Sequence, residues 1–99
     1  MTEQQLQTKV INTLRQNGAY VFKTVTTGKA GVPDVIACLN GLFIALEIKA
    51  GSKLTELQKY NINQIVLAGG IAAEITDIRQ VELLVSALNI NKRKKGIEK

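Results

Sequence analysis

The dipeptide Asn40-Gly41 constrains the fold of this chain more than any other feature. It separates two apolar runs, DVIACL at residues 34–39 and LFIALEI at residues 42–48. A two-residue hairpin turn of type I′ needs a positive φ at both central positions, and Asn followed by Gly adopts that conformation at low cost. We therefore predict that the two runs are antiparallel strands joined by this turn.

The rest of the sequence predicts helices and strands in the order αβββαβα. Thr2 with Gln5, and Thr55 with Gln58, are capping-box pairs that begin helices. The other predicted elements are, in chain order, a helix from Thr2 to Gly18, a strand over 19–27, a helix from Thr55 to Gly69, a strand over 71–75 and a helix beginning at Asp77. A strand-helix-strand passage from the third strand to the fourth predicts one parallel crossover. We expect an α/β fold with a small mixed four-stranded sheet flanked by helices.

Composition limits the classes of protein to consider. The chain of 99 residues makes one domain, which we place at residues 1–91, followed by a basic tail at 92–99. It contains no His, which excludes triads and metal sites that need imidazole, and Cys38 is its only cysteine. We expect Cys38 to be a buried thiol. Neither a membrane span nor a secretory signal is present, so we expect a cytoplasmic protein.

The positive charge is concentrated at one end. Of the net charge of +5, residues 1–91 carry +1 and residues 92–99 carry +4. Such a tail could bind phosphates without sequence specificity. A disordered, solubilising end is the plainer interpretation, because basic ends occur on proteins of every function.

Two acidic residues stand at the open end of the predicted hairpin. With Asn40-Gly41 as the loop, Asp34 lies directly opposite Glu47, and strand alternation puts both on one face. Lys49, two residues further on, projects to the same face if the strand extends that far. Like charges that face each other destabilise a sheet, and buried carboxylates need a compensating charge. We therefore expect Lys49 and a divalent cation, Mg²⁺ or Mn²⁺, to compensate them.

These acids also have plainer interpretations. Asp34 and Glu47 could be solvated carboxylates at strand ends, with Lys49 as a surface partner. Glu3 falls on the apolar stripe of the first helix and could point toward the same site. Alternatively, Glu3 only interacts favourably with the positive end of its helix.

The motif Gly31-Val32-Pro33-Asp34, followed after a short hairpin by Glu47-Ile48-Lys49 and then by Gln58, resembles the signature of the PD-(D/E)XK nucleases. The Gly-rich approach loop and the downstream Gln make it similar to their VRR-NUC branch, and specifically to stand-alone phage and bacterial members. The likeness extends from the first helix to about Ile75. It implies a restriction-endonuclease-like fold.

The resemblance also implies roles for individual residues. Asp34 and Glu47 would ligate the metal together with the carbonyl of Ile48, and Glu3 would be a further ligand, directly or through water. Lys49 would position the attacking water and stabilise charge on the phosphate. Gln58 would orient Lys49 or that water, although the same side chain is needed for the capping box. The residues that could contact nucleic acid are Lys29, Lys53, Lys92, Arg93 and Lys94.

The function implied by the resemblance is metal-dependent hydrolysis of DNA phosphodiester bonds. Stand-alone members of this kind act as homodimers on branched DNA such as four-way junctions, so DNA and a second copy are the expected partners. The alternative is a non-catalytic nucleic-acid-binding module with the same fold. Two facing acids would repel phosphate in such a module, which argues against it. A structural subunit of a phage assembly has no feature in its favour.

Overall fold

A computed structural model describes residues 1–25 and 30–98, and for residues 90–98 it describes only the backbone. The elements are, in chain order, α1 (Glu3–Gln16), β1 (Tyr20–Lys23), β2 (Val35–Leu39), β3 (Leu42–Ile48), α2 (Glu56–Leu67), β4 (Ile71–Ile75) and α3 (Ile78–Glu98). The predicted order αβββαβα is therefore confirmed. The first strand is shorter than predicted and ends at Lys23.

The hairpin has the predicted turn and register. Asn40 and Gly41 have φ angles of 54° and 80°, as a type I′ turn requires. β2 and β3 are antiparallel, with Leu39 paired with Leu42 and Val35 paired with Leu46. The Asn40 side chain also donates to the carbonyl of Leu88 at 3.0 Å, which ties the turn to α3.

The sheet has the strand order β1-β2-β3-β4. β1 runs antiparallel to β2, whereas β3 and β4 are parallel and are connected through α2. This confirms the predicted parallel crossover. The sheet is therefore mixed, with β1 and β4 at its two edges.

An aliphatic core lies on one face of the sheet. α1 packs on the first three strands, and α3 packs on α1 and β4. Alternate strand residues point into this layer; the buried core consists mainly of Leu6, Val10, Leu14, Val35, Leu39, Ile44, Leu46, Ile48, Ile75, Val81, Val85 and Leu88. The core consists of Ile, Leu, Val and Ala side chains, and no aromatic side chain contributes to it.

The opposite face of the sheet is covered only in part. α2 packs on β4 and β3, so Ala45 and Glu47 are buried there. β1 and β2 lie beyond the reach of α2, and Cys38 on β2 is consequently exposed. The prediction of a buried thiol is therefore wrong. An apolar strand sequence does not show how far a helix such as α2 extends across the sheet.

The capping signals identify the helix starts. The hydroxyl groups of Thr2 and Thr55 accept from the backbone N–H of Gln5 and Gln58, each at 3.1 Å. α3 continues to Glu98, so the backbone of residues 92–98 is helical. The boundary between a domain and a basic tail at residue 92 stays a prediction. In the part of the chain that the structure describes, no helix is long and apolar enough to cross a membrane.

Gly31 packs directly against α2. Its φ is +80°, and a Cβ atom at this position would lie 2.7 Å from Cγ of Leu57 and 2.8 Å from Nδ2 of Asn61. Buried Asn61 donates to the carbonyl groups of Ala30 (3.4 Å) and Leu57 (2.9 Å). The glycine therefore allows the segment before Asp34 to lie against α2.

We predict that Gly31→Ala lowers the free energy of unfolding by about 2–4 kcal/mol, because overpacking adds to the cost of a positive φ. Gly18→Ala is the matched control, since Gly18 has φ +92° and a Cβ atom added there would meet no other atom within 4 Å. That control should cost only about 1 kcal/mol. Urea denaturation of both variants measures the difference, and equal losses would contradict the steric argument.

Candidate functional site

Asp34 is held at the entrance to β2 by backbone contacts. The N–H of Thr24 donates to the carbonyl of Asp34 at 2.8 Å, which extends the β1–β2 pairing by one step. The Thr24 hydroxyl donates to the carbonyl of Pro33 at 2.8 Å. Thr24 is a positioning residue that the sequence does not reveal, because its partners lie about ten residues away and carry no local signal.

The carboxyl groups of Asp34 and Glu47 are neighbours, as the hairpin register predicts. Oδ2 of Asp34 accepts from the backbone N–H of Ile48 at 3.0 Å. Glu47 is buried, with only 3% of its surface exposed. Burial, together with a hydrogen bond to Asp34 and the charge of Asp34, raises the pKa of Glu47 from its ordinary 4.5 to about 8. The pair therefore holds a proton at neutral pH.

Lys49 follows Glu47 at the end of β3. Its backbone N–H donates to the carbonyl of Ile75 at 2.9 Å, so the β3–β4 ladder extends to this residue as the predicted geometry requires. The positive charge of Lys49 favours the ionised forms of both Glu47 and Glu3, although it does not outweigh the burial that raises the pKa of Glu47. The ammonium group thus lies within electrostatic range of both acids.

Glu3 reaches the loop after β3 from the first turn of α1. Its Oε1 atom accepts from the Ser52 hydroxyl at 2.8 Å and from the N–H of Ala50 at 3.3 Å. These two hydrogen bonds, with the Ser52 contact the stronger, lower the pKa of Glu3. Glu3 therefore fixes the loop that begins at Lys49, in addition to standing at the positive end of its helix.

The remaining predicted site residues have varied surroundings. Oε1 of Gln58 accepts from the N–H of Thr55 at 2.9 Å, so this oxygen is committed to the capping box. Lys53 is exposed in the loop before α2. Lys29 lies outside the described residues, as do the side chains of Lys92, Arg93 and Lys94.

β4 contributes an acid that local sequence patterns do not place near the site. Glu74 is paired with Glu47 across the parallel β3–β4 ladder. The register of two parallel strands separated by a helix cannot be read from the sequence, so the sequence does not predict this pairing. Over residues 1–25 and 30–89, no three acidic or cysteine side chains come together in a group that could hold a metal ion.

The donor set suits a hard divalent cation. Mg²⁺ usually takes one or two carboxylates and keeps several water molecules. Asp34 and Glu47 provide two such carboxyl groups side by side, and a bound cation would take over from the proton of Glu47 in offsetting their like charges. The residues present therefore fit a Mg²⁺ or Mn²⁺ ion.

Comparisons with known proteins support the fold. No family model matches the sequence, and no curated protein matches it. One solved structure, described as "VRR_NUC domain", has a TM-score of 0.74 and 21% identity, and the match covers 87% of this chain and 97% of that one. Another, "VRR_NUC domain protein", has a TM-score of 0.66 and 23% identity, and the match covers 90% of this chain and 86% of that one. The chain therefore has the fold of the VRR_NUC domain, as its motif resemblance predicts.

Proposed function

We propose that this protein is a divalent-metal-dependent nuclease that hydrolyses DNA phosphodiester bonds. The observation that carries the proposal is the contact between half-buried Asp34 and buried Glu47, with Lys49 beside them. Two acids in contact inside a fold destabilise it unless a proton or a cation lies between them. Such an arrangement is typical of a functional site, because packing alone would favour apolar residues there.

In this proposal Asp34, Glu47 and the carbonyl of Ile48 hold Mg²⁺ or Mn²⁺. A bound ion supplies charge to shield the phosphodiester and to lower the pKa of a water molecule. Asp34 is already oriented by the N–H of Ile48, so this carboxylate needs little rearrangement to bind. Glu47 must lose its proton, which makes metal binding more favourable at higher pH.

Lys49 stabilises negative charge that develops on the phosphate during attack. An ammonium group that already lies beside the site is effective because little has to reorganise at the moment of reaction. Glu3 contributes either as a further ligand through water or by holding the loop that carries Lys49. Gln58 has one oxygen in its capping box, so any role in orienting Lys49 would fall to its amide group.

The proposed substrate is branched DNA, and the proposed active form is a homodimer. Symmetric cutting of a four-way junction needs two active sites related by a two-fold axis, and one domain of this size has a single site. A net charge of +5 favours binding to phosphate backbones, with Lys29, Lys53 and the basic residues Lys92, Arg93 and Lys94 as proposed contacts. The second candidate, a non-catalytic nucleic-acid-binding module, would bind the same substrates without cutting them.

A cleavage assay tests the proposal. Labelled linear, flapped and four-way DNA is incubated with the protein in Mg²⁺, Mn²⁺ or EDTA, and we expect cutting only with metal. Asp34→Asn and Lys49→Ala should each reduce the rate by at least about 100-fold, while the circular dichroism spectrum stays that of the wild type. Lys59→Ala is the control, because this lysine forms an exposed ion pair with Glu56 on the solvent side of α2. Binding without cutting in any metal would favour the non-catalytic module.

The pKa of Glu47 predicts how stability depends on pH without metal. A folded-state pKa of about 8, above the ordinary 4.5, means that the neutral form stabilises the fold. This contribution is complete below about pH 4.5 and is lost as the pH rises through about 8. The Glu47→Gln side chain is always neutral, so this variant should keep its stability as the pH rises. The free energy of unfolding in EDTA, taken as variant minus wild type, should be larger at pH 8.5 than at pH 5 by at least about 1 kcal/mol. Glu82→Gln, an exposed acid, is the control, and parallel pH profiles for wild type and Glu47→Gln would contradict the assignment.

Manganese titration separates the two roles proposed for Glu3. If Glu3 is a ligand through water, Glu3→Ala should weaken Mn²⁺ binding by about tenfold. Ser52→Ala should leave the affinity unchanged or increase it, because it frees the Glu3 carboxylate from its hydrogen bond. If both variants weaken binding equally, Glu3 acts only by holding the loop. Isothermal titration calorimetry on the folded variants makes the measurement.

A further inference from the structure

The aromatic residues of this chain lie on its surface. The sequence has two Tyr and two Phe, and all four are exposed: Tyr20 by 76%, Phe22 by 47%, Phe43 by 47% and Tyr60 by 56%. Aromatic side chains are large and apolar, so they are normally used to fill a core. Here aliphatic residues fill the core instead.

Three of the four aromatic residues share one face of the sheet. Tyr20 pairs with Cys38, which in turn pairs with Phe43, so these three residues form one row across β1, β2 and β3. The next row consists of Phe22, Ile36 and Ala45. We call the exposed residues Tyr20, Phe22, Cys38 and Phe43, together with half-buried Ile36, the aromatic face. It belongs to the face of the sheet that α2 covers only over β3 and β4.

The aromatic face is continuous with the carboxyl pair. The row after Phe22 and Ile36 contains Asp34, which directly precedes β2, and Glu47 on β3, because side chains two residues apart along an extended chain point to the same side. Successive rows are separated by about 6.5–7 Å. A chain that crosses the aromatic face along β2 therefore arrives at half-buried Asp34, with Glu47 buried beside it, without leaving this side of the sheet.

We propose that the aromatic face binds an unpaired nucleic-acid strand by stacking its bases, adjacent to the point of cleavage. This inference rests on the proposed nuclease function, since it identifies the part of the substrate next to the scissile bond as single-stranded. Exposed Tyr and Phe rings on a sheet suit this partner, because every base has a π face and stacks without sequence preference. Phosphates of the same strand would be attracted mainly by residues 92–99, which carry +4 of the net charge of +5.

A second copy of the chain fits the aromatic face less well. A stable protein interface buries about 800 Å² on each partner. The exposed parts of the three aromatic side chains amount to only on the order of 300 Å², given about 150–250 Å² for a whole side chain. A surface of this size suits a few bases better than a protein partner.

Pairing of another strand with β1 is also disfavoured. β1 is an edge strand, but Nη2 of Arg15 donates to the carbonyl of Val21 at 3.4 Å on its outer side. A side chain that occupies a backbone acceptor at the edge opposes the addition of a further strand. We therefore expect the partner to contact the side chains of the aromatic face and not to pair with the backbone of β1.

The test measures binding without cleavage. Fluorescence anisotropy in EDTA follows the protein with a labelled oligothymidylate of about 16 nucleotides, the upper site size of a small single-strand-binding domain, and with a duplex of equal length. We expect tighter binding to the unpaired oligonucleotide. Tyr20→Ala and Phe22→Ala should each weaken that binding by at least about fivefold. Tyr20→Phe keeps the ring and should bind like the wild type.

Tyr60→Ala is the matched control, because Tyr60 is similarly exposed but lies on α2. Affinities within twofold of wild type in both Tyr20→Ala and Phe22→Ala would overturn the proposal. So would sedimentation data in which these substitutions turn a dimer into a monomer while binding is unchanged, because the face would then be covered by a second copy. Binding is measured in EDTA, which prevents cutting, so the two proposals can fail separately. If no DNA is cut with metal but Tyr20→Ala and Phe22→Ala still weaken binding, the nuclease function is rejected and the proposed binding surface is supported.

Discussion

The contact between half-buried Asp34 and buried Glu47 is the constraint on which the rest of the site depends. The type I′ turn at Asn40-Gly41 sets the hairpin register, and this register brings one acid opposite the other. α2 then covers Glu47, so its pKa rises to about 8 and the pair holds a proton. A fold that retains such a contact has a position where a divalent cation can replace a proton, and this is the physical basis of the proposed nuclease.

The surrounding structure fixes the geometry of this pair from several directions. Thr24 holds the Pro33-Asp34 segment from β1, and Gly31 lets the same segment lie against α2. Glu3 holds the loop that follows Lys49 from the far end of the chain. These contacts join α1, α2 and the segment after β1 to one end of the central strands β2 and β3, so the site depends on the whole domain being folded.

The two faces of the sheet differ in what covers them and in the residues they carry. One face, covered by α1 and α3, contains the aliphatic core that stabilises the domain. The other face is half covered by α2 and presents the carboxyl pair together with exposed aromatic rings. This division explains how a chain of 99 residues with four aromatics can stabilise its fold without them. It leaves those rings available for a partner.

The order of elements, the hairpin register and the capping boxes could all be predicted from the sequence, because turns, caps and strand alternation depend on neighbouring residues. The sequence therefore also predicted that Asp34 faces Glu47. What covers each side chain became evident only from the packing of the folded chain. In the folded chain Cys38 is exposed, Glu74 is paired with Glu47, and Glu3 accepts a hydrogen bond from Ser52. Burial and contacts between distant segments depend on how helices pack on the sheet, and local patterns do not encode how far a helix reaches across it.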